Sequence, residues 1–333
     1  MTLSGLVGSV IMTDEVGNGP AEIREVDRTL HEKMSRFFRG ERSGFVEVGP
    51  DKYFLPKKYE EDAMKLHSFR PRPDDTWIVT FPRSAFLNCR FSTTVCDDMK
   101  KQLLTEAGDD TARSTALAEA CVPAFEILER AESPRFIKTH LPFSLLPQDL
   151  LQSGAKVIYI ARNPKDVAVS YFHLHKFFRT LDFKGDFNQF WDFFENDHVL
   201  WAPYWSHIKE GWQSRSNPNV CFLFYEDITK DLRGAIKVIS HFLGKDISPE
   251  GTEKLLSHLN IKNFRSNSSV NFDPLRELGF LQGDSRLFIR EGKTDGSRDY
   301  YSSELSKRVE KWVEENIKQI SGFQFPKMLN QSG

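Results

Sequence analysis

Several things are missing from this chain, and each absence removes a class of function. No glycine occurs between Gly49 and Gly108. The apolar run Trp77–Phe81 is therefore followed by neither G-x-x-x-x-G-K-[ST] nor G-x-G-x-x-G, which weighs against an ATP- or GTP-dependent P-loop enzyme and against a dinucleotide-dependent dehydrogenase. Four cysteines, Cys89, Cys96, Cys121 and Cys221, show no C-x-x-C spacing. Reduced thiols in a cytoplasmic protein are the simple expectation, and no metal site is expected. No run approaches the ~18 apolar residues of a membrane span. Leu3–Met12 is too short and too interrupted for a signal peptide, and it lacks a basic flank. The net charge of -2 gives no bulk field for nucleic acid, so any anion site must be local.

What is present suits a large soluble α/β protein. The 333 residues are 39% hydrophobic and 28% charged, with 28 Phe. That aromatic excess fills a core and would equally suit an aromatic-lined pocket for an apolar ligand. Residues 1–28 mix Gly, Asp and Glu and read as a loosely ordered tail, leaving one domain over residues 29–328. Strands are expected at Phe45–Val48, Trp77–Phe81, Phe136–Lys138, Lys156–Ile160 and Val220–Phe224. Helices are expected at Pro56–Ser68, Asp98–Ala107, Ser114–Ala131, Phe187–Phe194, Trp201–Gly211, Leu232–Leu243, Ser248–Leu259 and Ser303–Gln319. Another begins at Asn163-Pro164, with Asn as cap and Pro at the first helical position. Strands alternating with helices predict a single α/β domain with a central, mostly parallel sheet flanked by helices.

In such a sheet the carboxyl ends of all strands face one crevice. Four strand ends here carry basic and hydroxyl groups: Arg83-Ser84, Lys138-Thr139-His140, Arg162 with Ser170, and Tyr225. Two Arg, a Lys and helix N-termini converging there describe a polyanion site, and His140 among them could act as a general base. Taken singly, each residue has a plainer explanation, such as a surface ion pair for Arg162 or a core phenol for Tyr225.

The order of these motifs resembles the cytosolic sulfotransferases. It runs Thr80-Phe81-Pro82-Arg83-Ser84, Lys138-Thr139-His140-Leu141-Pro142, Arg162-Asn163-Pro164-Lys165-Asp166-Val167-Ala168-Val169-Ser170-Tyr171, Phe224-Tyr225-Glu226-Asp227 and Phe288-Ile289-Arg290-Glu291-Gly292. The resemblance covers about Lys52 to Phe325. It implies the sulfotransferase fold, which is similar to that of P-loop nucleoside triphosphatases. It also implies transfer of a sulfuryl group from 3′-phosphoadenylyl sulfate (PAPS) to a hydroxyl of a small, fairly apolar acceptor, without a metal. His140 would match the base, and Lys138 a residue beside the sulfuryl group. Arg162 and Ser170 would match the 3′-phosphate grip, and Tyr225 an adenine contact. Arg290 and Gly292 would belong to the loop closing over the 3′-phosphate. Positioning and charge stabilisation would carry the reaction, as in phosphoryl transfer.

The first nucleotide loop departs from the family's Pro-Lys-Ser-Gly-Thr-Thr-Trp. Pro82 and Ser84 remain, Arg83 replaces the Lys, and Ala85, Phe86, Leu87 and Asn88 follow. In that register the turn glycine, both threonines and the stacking Trp are gone. In a second register, seven residues later, Arg90-Phe91-Ser92-Thr93-Thr94-Val95-Cys96 supplies Thr93 and Thr94 as phosphate-binding hydroxyls. A disturbed exon junction is a third account. Glu291 stands where a second basic residue is usual. The family's dimerisation motif, Lys…Thr-Val…Glu, meets only Arg298…Ser302-Ser303…Lys307, which argues against a homodimer formed by that route. The alternative expectation is a catalytically impaired homologue that binds nucleotide or a hydrophobic ligand.

Overall fold

The computed structural model describes residues 20–84, 97–267, 273–283 and 298–326. Its centre is a four-stranded sheet in the order β5-β4-β6-β7, built from β4 (Thr76–Val79), β5 (Phe136–Thr139), β6 (Lys156–Ala161) and β7 (Val220–Phe224). All three pairings are parallel, with Val79 opposite Thr139 and Tyr159, and Ala161 opposite Phe224. A separate antiparallel sheet joins β1 (Ile23–Glu25), β2 (Phe45–Val48) and β3 (Tyr53–Pro56). The end of the stretch read from sequence as a tail thus contributes a strand, with Ile23 registered against Val48.

Helices before the second parallel strand are α1 (Arg28–Phe37), α2 (Tyr59–Ser68), α3 (Asp97–Ala107), α4 (Thr111–Ala120) and α5 (Ala124–Arg130). Then come α6 (Pro164–Phe177), α7 (Phe187–Glu195), α8 (Tyr204–Ser214), α9 (Tyr225–Lys230) and α10 (Leu232–Phe242). The chain closes with α11 (Pro249–Leu259), α12 (Ile261–Ser266), α13 (Asp273–Glu277) and α14 (Ser303–Ile317). No described helix is long and apolar enough to cross a membrane.

Strand β6 shows why the layers form. Its side chains alternate in direction. Val157, Tyr159 and Ala161 enter the main core, whereas Ile158 and Ile160 pack with Tyr225 and with Ile239 and Phe242 of α10. Both faces are covered, so the strand reads as a continuous apolar run. At the amino ends of the sheet, Asp75 and Arg135 are 1% and 3% exposed and form a bidentate pair at 2.7 and 2.5 Å. Arg135 also donates to Leu128 O and Arg70 O, which ties β5 to its surroundings at the end of the sheet opposite the strands' carboxyl ends.

Two helix expectations are corrected by proline. The helix expected over Ser114–Ala131 is split into α4 and α5, because Pro123 lacks an N–H and disfavours helix at the residue before it. The helix expected from Trp201 starts only at Tyr204, after Pro203, and Trp201 itself has φ +63°. The Asn163 cap and Pro164 start are seen as expected, with Asn163 Oδ1 accepting Lys165 N.

Candidate active site

Strand β4 is the hinge of the arrangement. Its chain runs through α3–α5 to β5 on one side, while β6 pairs on its other side, so the carboxyl end of β4 is a topological switch point. The loop after β4 meets β5 at Thr80 and β6 at Arg83.

On the β5 side, Nδ1 of His140 lies 2.7 Å from Thr80 O. A carbonyl oxygen only accepts, so Nδ1 carries the proton and Nε2 is the ring's basic nitrogen. Burial, with Lys138, His207 and Arg83 as charged or polar neighbours, holds the His140 pKa well below the ordinary histidine range, so the ring is neutral near pH 7. Its edge keeps some accessible surface because it lines a cavity, while the surrounding protein removes it from bulk water.

That cavity has a volume of about 170 Å³. Its wall is mostly apolar, from Leu55 and Tyr59 through Phe69 and Trp77 to Phe125, Ile137, Leu146 and Trp201. Lys138, Thr139 and His140 supply the polar groups from β5 and its end, and Asp62 a carboxylate from α2. Trp201 stands edge-on to His140, ring centres 5.5 Å apart. An apolar cavity of about 150 Å³ admits a benzene ring, so this one accepts at least a single-ring molecule without rearrangement.

On the β6 side, Arg162 is 9% exposed and its guanidinium lies 4.2 Å over the Tyr225 ring. Its Nη1 donates to Arg83 O at 2.9 Å, and Nε of Arg83 donates to Ser170 Oγ at 2.8 Å. Arg83, Arg162, Ser170 and Tyr225, drawn from the loops after β4 and β6, from α6 and from the start of α9, therefore meet in one place. Two buried polar atoms there, Ser84 Oγ and Arg162 Nε, have no hydrogen-bond partner among the described residues. Buried donors left unmade are costly. Donors of this kind beside Arg83 fit the oxygens of a phosphate or sulfate group. Glu226 accepts Asn163 N at 2.7 Å and fixes the start of α6; burial raises its pKa.

Arg83 adopts φ +68°. A left-handed non-glycine residue costs on the order of 1–2 kcal/mol, so the loop after β4 carries backbone strain at Arg83. Ala85–Cys96, with the candidates Thr93 and Thr94, and residues 284–297, with Arg290, Glu291 and Gly292, lie outside the described residues. Among the described residues, no cluster of His, Cys, Asp or Glu could hold a metal ion. Sequence reasoning missed Thr80, whose backbone oxygen selects the His140 tautomer, and Trp201, His207 and Tyr159, which surround His140 or its anchor. Thr80 opens the first motif, but a backbone oxygen carries no residue-type signal, and the other three stand outside the motifs.

A parallel sheet with a basic crevice at its switch point, and a neutral histidine facing an adjoining apolar cavity, is an arrangement suited to group transfer. The chain matches the Sulfotransferase domain over residues 73–321. It is 31% identical to rat Sulfotransferase 1 family member D1 over 270 residues, covering 78% of this chain and 88% of that protein. It is 35% identical to human Sulfotransferase 4A1 over 211 residues, covering 62% and 70%. Among solved structures, retinol dehydratase in complex with androsterone and inactive cofactor PAP superposes with a TM-score of 0.82 at 31% identity, covering 93% of this chain and 99% of that one. The chain belongs to the sulfotransferase family, whose chemistry is sulfuryl transfer to hydroxyl acceptors.

Proposed function

We propose that this protein transfers the sulfuryl group of PAPS to a hydroxyl of a small, fairly apolar acceptor held in the cavity beside His140. The observation that supports it most is the His140 tautomer: Nδ1–H is committed to Thr80 O, leaving a neutral basic Nε2 at the wall of an apolar cavity. The acceptor oxygen forms a bond to sulfur as its proton passes to His140 Nε2. The bridging S–O bond breaks, and its electron pair leaves on the 5′-phosphate of 3′-phosphoadenosine 5′-phosphate. Lys138 and Arg83 offset the charge developing around sulfur. Arg162 and Ser170 hold the 3′-phosphate, Tyr225 meets the adenine side, and Ser84, with Thr93 and Thr94, serves the 5′ end. Arg290 and Gly292 close over the 3′-phosphate. Retinol dehydratase is seen with retinol and with androsterone, so alcohols of those two shapes, with simple phenols, form the first acceptor panel.

One experiment tests this. Nucleotide binding is followed by thermal shift with 3′-phosphoadenosine 5′-phosphate, and sulfated product is measured across the panel for wild type and His140→Ala. The variant should keep the nucleotide-induced shift and lose turnover by at least about 10²-fold, the weight of general base catalysis. Normal turnover by His140→Ala would remove His140 from the role. A second reading, an impaired homologue that binds the nucleotide, has one observation in its favour: the Arg83 side chain is engaged by Ser170, on the 3′-phosphate side. It requires a melting shift with nucleotide and no product with any acceptor.

A further inference from the structure

Helix α8 presents a buried histidine and, one turn on, a half-buried carboxylate to the segment that carries His140. His207 is 0% exposed, and its Nε2 lies 3.1 Å from His140 O. Because a carbonyl only accepts, Nε2 carries the proton and Nδ1 is the acceptor. Tyr159 OH lies 2.7 Å from that Nδ1 and 2.9 Å from His207 O, and its single proton is shared between these two acceptors. One turn on, Glu210 accepts Ser144 N through Oε2 at 2.8 Å, and through Oε1 Ser144 Oγ at 2.8 Å and Tyr53 OH at 2.6 Å. The stretch His140–Ser144 is therefore held at both ends by one helix face.

The approach is built in. A Cβ at Gly211 would stand 2.4 Å from Tyr159 Cζ, so only glycine lets the Tyr159 ring lie against α8 with its hydroxyl at His207. Tyr159 is in turn fixed in β6, between β4 and β7. Burial also lowers the His207 pKa, to about 4, so the ring stays neutral and the Nε2–H donor persists through the physiological range.

We propose that His207, oriented by Tyr159, together with Glu210, is the positioning device of the general base: it holds the His140 backbone so that the imidazole keeps its bond to Thr80 O and its place in the cavity wall. The role assigned to His140 rests on the reading given under Proposed function; the clamp itself rests on the geometry above. Proton transfer tolerates little displacement, and an error of about 1 Å can cost ~10²-fold in rate.

The test uses the full chain and three variants. His207→Leu removes the donor while filling the volume, His207→Gln returns an N–H at the Nε2 position, and Tyr159→Phe removes only the orienting hydroxyl. Steady-state kcat and KM with an accepted alcohol, and the affinity for 3′-phosphoadenosine 5′-phosphate, are measured for each. Long-range 1H–15N NMR follows the His140 ring, identified by its loss in His140→Gln.

His207→Leu should lower kcat by about 10- to 100-fold with nucleotide affinity kept within about threefold. His207→Gln should recover most of that loss, and Tyr159→Phe should fall between. The acid limb of kcat and the NMR titration of His140 should move up toward the ordinary histidine value in His207→Leu, since loosening the segment admits water. Lys138 on its own strand and Arg83 after β4 are unchanged in these variants, and His207→Gln removes the imidazole's own effect on His140 as fully as His207→Leu does, so the clamp is read from the difference in His140 titration between the two. An unchanged His140 titration and tautomer in His207→Leu overturns the clamp. So does a kcat loss that His207→Gln shares in full. Wild-type protein that binds nucleotide but yields no product overturns the role of His140 as base, and the NMR arm still judges the clamp.

Discussion

Replacing His175 with Phe should make the protein progressively more acid-stable than wild type. His175 lies in α6 at 0% exposure, in a cluster of rings: Tyr171 at 4.1 Å, Phe190 at 5.0 Å and Phe38 at 5.6 Å between centres. Its Nδ1 donates to Tyr171 O at 2.9 Å, and its Nε2 is buried without a hydrogen-bond partner among the described residues. Burial takes its pKa from 6.5 down to about 3. Below 6.5 the unfolded chain takes up a proton that the folded chain refuses, so the folded state loses stability as pH falls from 6.5 toward 3. Integrated from pH 7 to pH 5, that loss is about 2 kcal/mol. Phe fits the ring cluster and carries no titration. It forgoes one hydrogen bond worth roughly 0.5–1.5 kcal/mol and relieves one orphaned nitrogen worth a similar amount or more, so little change is expected at pH 7. Urea denaturation of both proteins at pH 7, 6 and 5 reads the difference. Wild type alone is not diagnostic, because Glu41 and Asp197, both raised to about 7 by burial, bind protons in the folded state and favour it as pH falls. Subtracting the two curves cancels them. Parallel curves for variant and wild type would refute the assignment of a buried, neutral His175.

Three further outcomes are expected. Asp75→Asn strands the Arg135 guanidinium at 3% exposure and should cost about 3–5 kcal/mol, read as a lowered urea midpoint, with a smaller loss when both partners are replaced by apolar residues. Arg162→Ala removes the guanidinium over Tyr225 and the donor to Arg83 O; it should weaken 3′-phosphoadenosine 5′-phosphate by about 10- to 100-fold in calorimetry, the scale of one charge-assisted hydrogen bond. It should weaken adenosine 5′-phosphate much less, and equal losses for the two nucleotides would contradict a 3′-phosphate contact. Gly211→Ala should destabilise by about 1–3 kcal/mol in thermal or urea unfolding although alanine is the better helix former, because the added Cβ meets the Tyr159 ring; a stabilised variant would show that the ring can move aside.

Periodicity and punctuation in the sequence determined much of this protein. The runs at Lys156–Ile160 and Val220–Phe224, alternating with helical patterns, led to a parallel α/β sheet, and the Asn163-Pro164 start and the motif order led to the family. These signals are local: side-chain direction in a strand and the missing N–H of proline act over a few residues. Prolines outside the motifs were read less well, so Pro123 and Pro203 moved helix boundaries. The site was legible only as a set of strand ends. Which residues pair there depends on strand order, and that order is decided by packing between segments far apart in the chain. The order β5-β4-β6-β7 gave β4 two neighbours, placed Thr80 O against His140 and Arg83 O against Arg162, and thereby fixed a tautomer that no motif encodes. The same packing set His207 and Tyr159 behind His140, 67 and 19 residues away in sequence. Residue types sufficed to name the chemistry, whereas the hydrogen bonds that make one nitrogen basic and hold it in place arise only when the sheet is assembled.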